Sequence, residues 1–220
     1  MRREVRVGVL ASGRGSNFEA LLHAGEHVRV VCLGTDNADA PALQIAARHQ
    51  IASCVVDETA SRGRLQTKNE QALCDFLQQH EVDVVCLAGF MRIVRGPLLE
   101  HYPRAILNVH PSLLPSFPGL NGPRQALKHG VRVSGCTVHF VDAGIDTGPI
   151  ILQATVPILD DDTVASLTTR IQKEEHRVYP PAVSLWASDR IRVENGRVSI
   201  LPAATSSTVT PHKLAKEESS

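Results

Sequence analysis

From Val5 to Val109 the chain alternates short apolar runs with longer segments of helical spacing. The runs are Val5–Leu10, Val28–Leu33, Ser53–Val56, Val82–Ala88 and Ala105–Val109. Between them, Asn17–His23, Pro41–Gln50, Thr67–His80 and Pro97–His101 place apolar residues three and four apart. Near-continuous apolar strands, each followed by a helix, predict an α/β fold: a doubly wound, mostly parallel, Rossmann-like sheet covered on both faces. Pro41 suits a first helical turn, and Asp39 suits the cap before it.

Beyond Gly130 the rhythm changes. Arg132–Asp142 and Pro149–Pro157 read as antiparallel strands on either side of an Asp/Gly loop, a C-terminal antiparallel extension of the sheet. Asp162–Tyr179 has helical spacing, with Val164, Leu167, Ile171 and Val178 on a shared face, and Pro180-Pro181 predicts its end. Asn195-Gly196 between two alternating runs is a strong short-range signal for a hairpin. The expected organisation is a single domain over 1–202, with halves over 1–103 and 104–202. The Ser, Thr, Lys and Glu of 203–220 predict a disordered tail.

Composition adds exclusions. Lys plus Arg equals Asp plus Glu at 23 each, so no basic excess points to nucleic acid as a partner. No apolar run approaches the ~20 residues of a membrane span, and the opening Met1-Arg-Arg-Glu leads into a run too short for a signal segment. A soluble cytoplasmic protein is expected. The five cysteines stand singly, without a CxxC pair, which predicts buried free thiols. His101, His110, His129, His139 and His176 lack metal-ligand spacing, so no metal is expected. There is no Gly-x-Ser-x-Gly elbow for a serine hydrolase.

Candidate chemistry gathers in two segments. Ala105–Val109 delivers Asn108 and His110 two positions apart, so strand alternation points both to one face, and the proline-rich Pro111–Pro118 must leave the sheet. Asp142-Ala-Gly-Ile-Asp146 supplies carboxylates on a loop after another apolar run, and at least one of them is expected to be a turn former. An amide donor, an imidazole and a carboxylate are the parts of acyl transfer to an amine: two hold an oxyanion, and the third keeps the imidazole charged. Ser12-Gly-Arg-Gly-Ser-Asn17 ends the first strand. It is neither a Walker loop nor a dinucleotide fingerprint, and it is either a phosphate cradle or a tight turn. Ala88–Val94, after the fourth strand, is either core or one wall of a slot for a flat ring.

These segments resemble the folate-dependent formyltransferases. The resemblance rests on Ser12–Asn17, Leu87–Ile93, Asn108-Val-His-Pro-Ser-Leu-Leu-Pro115 with Phe117-Pro-Gly119, Val138–Val141, Asp146-Thr-Gly-Pro149 and Glu175-His176 before Tyr179-Pro180. It runs from Val5 to about residue 187. It implies 10-formyltetrahydrofolate as formyl donor and no metal. The phosphate loop near the start, and the lack of room for a further domain, favour the purine-pathway member with glycinamide ribonucleotide as acceptor over the deformylase or the transfer-RNA enzyme. By resemblance Asn108, His110 and Asp146 are catalytic. Gly15, Ser16 and Asn17 hold the ribonucleotide phosphate, and Gln172, Lys173, Glu174 and Glu175 contact the rest of that substrate. Met91, Arg92, Ile93 and Val94 line the folate site with Asn108, Asp142, Ala143, Gly144, Ile145 and Asp146. Arg64 joins them if a short gap is allowed, with Arg62 and Gln66 as alternatives. The first half is then nucleotide-binding and the second folate-binding and catalytic. The partners expected are these two small molecules, not nucleic acid or membrane, in a monomer or homodimer.

Overall fold

The computed structural model describes residues 3–56 and 63–202; Arg62 and the tail expected over 203–220 lie outside the described residues. β1 (Val5–Leu10), β2 (Val28–Thr35), β3 (Ala52–Val55), β4 (Val84–Leu87) and β5 (Ile106–His110) pair in parallel. β6 (Val133–Phe140) and β7 (Ile150–Pro157) add antiparallel to β5. The order across this sheet is β3-β2-β1-β4-β5-β6-β7. The chain therefore winds outward from β1 in one direction, then restarts at β4 on its other side. Between β1 and β4 lies the switch point where open α/β sheets leave a crevice at the strands' carboxyl ends.

Alternation distributes the core to both faces. Val7 and Val9 of β1, with Val84 and Cys86 of β4, pack on α1 (Ser16–Leu21), α2 (Ala42–Arg48) and the buried side of α6 (Val164–Ala187). Leu10, Val85 and Leu87 point the other way, onto α3 (Thr67–Gln79) and α4 (Pro97–His101). Each fully buried Val, Leu or Phe stabilises by roughly 1.5–3 kcal/mol. α5 (Gly122–His129) lies against α6 and buries Ala126. The Asn195-Gly196 hairpin forms as expected, joining β8 (Ile191–Glu194) to β9 (Arg197–Ile200), with both turn residues at positive φ (50° and 74°).

The structure corrects three sequence expectations and adds one helix that none of them covered. α6 does not stop at Pro180-Pro181 but continues to Ala187. The prolines remove two backbone donors, yet Ala182 and Val183 are fully buried beyond them. Ser184 Oγ donates to Ala24 O, and Trp186 Nε1 donates to Arg104 O at 3.0 Å, which holds the last turns. Val164 is not on the buried face; it is 44% exposed. α5 carried no expectation at all, because Asn121-Gly122-Pro123 reads as loop; here Pro123 occupies the first turn, where no amide is missed. Asp39 does not cap α2, and no side chain does. Instead the Ala42 amide donates to Gly13 O at 3.1 Å, so the glycine loop after β1 satisfies the helix.

Close backbone approach fixes the loop between β6 and β7. A Cβ on Gly148 would stand 1.9 Å from Phe140 O, a backbone atom that cannot rotate away. Gly148→Ala is expected to destabilise the protein by about 1–3 kcal/mol, read as a lower midpoint in thermal unfolding. Gly13→Ala, with nothing within 4 Å of its Cβ, is the control that should leave the midpoint unchanged.

Candidate active site

One cavity of about 900 Å³ opens at the carboxyl ends of β1, β4 and β5. Its floor is built by β5. Asn108 and His110 both reach it, as alternation requires, while Val109 between them joins the core. The chain then turns sharply. Ser112 Oγ donates to Ser116 O at 2.6 Å, Thr137 Oγ1 donates to Ser112 O at 2.7 Å, and the Leu114 amide donates to Thr137 Oγ1 at 3.0 Å. These bonds hold the proline-rich turn against β6.

The chemistry centres on four side chains. His110 Nε2 lies 3.0 Å from Phe117 O, an acceptor only, so Nε2 carries hydrogen. His110 Nδ1 faces Asp146 Oδ2 at 3.3 Å. A ring protonated on both nitrogens satisfies both contacts. His139, directly across the β5–β6 pair from Asn108, has Nδ1 2.8 Å from Phe140 O and Nε2 3.1 Å from Asn108 Nδ2. Burial pushes the His139 pKa down, with the Phe140 carbonyl and Asp146 opposing. A neutral ring with hydrogen on Nδ1 leaves Nε2 as acceptor, so the Asn108 amide donates to it. That fixes the amide's orientation and leaves its second N–H for the cavity.

Asp146 ties these parts together. Its backbone is left-handed (φ 54°), a conformation that aspartate tolerates better than most residues. Its Oδ2 accepts from the Gly119 amide at 2.7 Å, and its Oδ1 lies 3.7 Å from His139 Nε2. Asp142 does the other job: its Oδ1 accepts from Gly144 N at 3.0 Å and from Thr147 Oγ1 at 2.7 Å, closing the turn. Of the two loop carboxylates, Asp142 is the turn former and Asp146 meets the histidines.

Two walls flank this centre. On one side Met91, Arg92, Ile93 and Val94 face Asp142, Gly144, Ile145 and Asp146 across a slot. The Met91 amide donates to Ser12 Oγ at 2.8 Å, the Ile93 amide to Gly63 O at 3.0 Å, and Arg92 pairs with buried Asp36. At the other end Gly15, Ser16 and Asn17 meet Gln172 and Glu175 of α6. Asn17 Nδ2 donates to Glu175 Oε2 at 2.7 Å, and burial raises the Glu175 pKa while that bond opposes it. Arg14 donates to Gln172 Oε1 at 3.3 Å, linking the same two segments.

Four expected residues stand apart from the lining. Lys173 and Glu174 fall on other sides of α6, since only residues three or four apart share a helix face; Glu174 pairs with Arg177 at 2.6 Å. Ala143 sits on the exposed outside of its turn. Arg64 bridges to Ile93 through its backbone, and it is Gly63 that reaches the cavity.

Sequence reasoning missed His139 as a site residue. The available signal was a histidine inside an otherwise apolar strand run, Cys136–Val141, but its partner depends on strand pairing. It also missed Gly119, which docks on Asp146, and the rim from α5 and early α6, including Arg124 and Thr168. Among the described residues no group of three or more His, Cys, Asp or Glu side chains could hold a metal ion, and no helix is long and apolar enough to cross a membrane. The cysteines are free; burial pushes Cys32, Cys86 and Cys136 up to about 12, so these thiols stay protonated.

A family model described as formyl transferase matches residues 5–183. Glycinamide ribonucleotide transformylase 1 from Symbiobacterium toebii superposes with a TM-score of 0.86 at 51% identity, covering 90% of this chain and 95% of that one. The phosphoribosylglycinamide formyltransferase of Bacillus subtilis is 39% identical over 182 residues, which are 81% of this chain and 92% of that protein. The human trifunctional purine biosynthetic protein adenosine-3 is 40% identical over 202 residues; the match takes in 90% of this chain but only 20% of that longer protein. With the model spanning most of the sequence and near full-length relatives on both counts, the chain belongs to the formyl transferase family, among the phosphoribosylglycinamide formyltransferases.

Proposed function

We propose that this chain transfers the formyl group of 10-formyltetrahydrofolate to the amine of glycinamide ribonucleotide, giving formylglycinamide ribonucleotide and tetrahydrofolate in purine synthesis. One observation carries the reading. Asn108, His110 and Asp146 meet between two unlike ends of a single cavity, a slot and a glycine-rich loop. The slot between Met91–Val94 and Asp142–Asp146 suits a flat ring read by backbone groups. The Gly13–Asn17 loop offers amides to a phosphate.

The residues then divide the reaction. The amine attacks the formyl carbon, and charge develops on the formyl oxygen. Asn108 donates to that oxygen with the N–H that His139 leaves free. His110 shares its Nδ1 hydrogen between Asp146 Oδ2 and that oxygen, since Nε2 is held by Phe117 O. Asp146 stands beside Nδ1 to steady the proton there, and through a water it relays the amine's proton toward the leaving folate nitrogen. The direct assay mixes protein, 10-formyltetrahydrofolate and glycinamide ribonucleotide and follows folate absorbance. Turnover that needs the nucleotide supports transfer; turnover without it means hydrolysis, and none in either mixture overturns the reading.

Removing one preset oxyanion donor costs about 10²–10³ in kcat at comparable sites. Asn108→Ala is therefore expected to lower kcat by about that factor with folate-analogue binding little changed; near-normal kcat would remove Asn108 from this role.

The phosphate end needs a probe that spares the fold. Gly15 is unsuitable, because its φ is +79° and a Cβ would come within 2.9 Å of Ala42 Cβ. Gly13 lines the cavity with open space at its Cβ position. Gly13→Val should raise KM for the ribonucleotide steeply while calorimetric binding of a folate analogue stays intact. Equal loss of both ligands would mean that the loop is only a turn.

The neutral state of His139 has a stability signature. Its folded pKa lies below the ordinary 6.5, so below that pH the unfolded chain takes up a proton that the native ring refuses. Stability is thus fully present above 6.5 and falls as pH drops toward the folded pKa. His139→Gln should flatten the fall in thermal midpoint between neutral and mildly acidic buffers; an unchanged slope would show that His139 does not contribute to it.

A further inference from the structure

Tyr179 is the largest fully buried side chain, and no step above uses it. Its hydroxyl reaches out of α6 to two carbonyls of the sheet, Leu87 O at 3.1 Å and Leu107 O at 2.9 Å. Those carbonyls have particular addresses. Leu87 O belongs to the peptide that begins Ala88–Val94, one wall of the slot. Leu107 O belongs to the peptide whose nitrogen is that of Asn108. The two strands are in register there, Leu87 pairing with Asn108. One hydroxyl thus bridges β4 and β5 at the level where both deliver residues to the cavity. Burial holds the phenol far above its ordinary pKa, so the group remains a donor.

The same helix carries the other end of the site. Glu175 is four residues before Tyr179 and Gln172 seven, spacings that share a face, and both line the cavity. A phenylalanine would fill the same apolar volume, so packing alone does not call for the oxygen. What the oxygen adds is a fixed distance between α6, the slot wall and the strand bearing Asn108.

Resting on the proposed formyl transfer, we infer that Tyr179 is a positioning residue: its hydroxyl sets the separation of the β4 and β5 ends so that the Asn108 amide meets the formyl oxygen of a donor seated against Ala88–Val94. Small misplacements of an oriented group are costly in rate even when binding survives.

The test compares wild type, Tyr179→Phe, Asn108→Ala and the double variant with both substrates, below the melting point of each. Wild-type turnover that requires both substrates is the first arm; its failure would remove the formyl-transfer reading itself. With that arm secure, Tyr179→Phe is expected to lower kcat about tenfold, the size of one lost hydrogen bond, with both KM values little changed. In the Asn108→Ala background the same change should have almost no further effect on kcat, because the group it positions is gone. Independent losses in the double variant, or a Tyr179→Phe enzyme with wild-type kcat, would overturn the inference. If Tyr179→Phe does not fold, the chain's two tyrosines offer another route. In a Tyr102→Phe enzyme, incorporated 3-fluorotyrosine alters the donor strength at position 179 alone. A changed kcat with unchanged KM supports the positioning role, and an unchanged kcat overturns it.

Discussion

The Asp146 carboxylate is the constraint around which the site is built. It receives the Gly119 amide, faces His110 Nδ1 and approaches His139 Nε2, so the end of β5, the turn after it and β6 are referred to one pair of oxygens. Its backbone is held left-handed by a turn that Asp142 closes and Gly148 tightens. Without that turn the carboxylate would project into solvent. His110 would then have an acceptor at Nε2 alone, and the Phe117–Asn121 loop would lose one of its anchors, the Gly119 bond. The arrangement works because one loop carboxylate serves the backbone and frees the other for the histidines.

Much of the fold was legible because it is periodic. Apolar runs and helical spacing set out every strand of the main sheet, and Asn195-Gly196 marked the hairpin. The failures share a physical cause. Pro180-Pro181 looks like a stop when only local hydrogen bonds are counted, but burial of Ala182 and Val183 outweighs two lost donors. α5 begins with residues that favour loops, and its stability comes from packing against α6 rather than from propensity. Asp39 lost its cap position to Gly13 O, a group supplied from a distant loop.

The site was legible where its chemistry is local. Asn108 and His110 needed only strand alternation, and Gly13-Arg-Gly15 needed only its place after the first strand. His139 was hidden because its role depends on the register of β5 against β6, which sets it beside Asn108. Lys173 and Glu174 show the converse: a contiguous motif was carried over whole, whereas a helix presents only some of its residues to one side. Choosing between Asp142 and Asp146 likewise required the hydrogen bonds of the folded turn.

The Asn17–Glu175 hydrogen bond has a temporal meaning as well as a spatial one. It joins residues 158 positions apart, and Arg14–Gln172 spans the same interval. Loop-closure entropy opposes such contacts until intervening segments have collapsed. During synthesis the first strand and its glycine loop emerge before α6, and the cavity wall that they share with it cannot close until α6 has left the ribosome. The nascent chain therefore carries a growing sheet without a finished cavity, whose lining is completed only when α6 docks. Ligands that bridge the two segments then favour the completed chain over every shorter one by mass action.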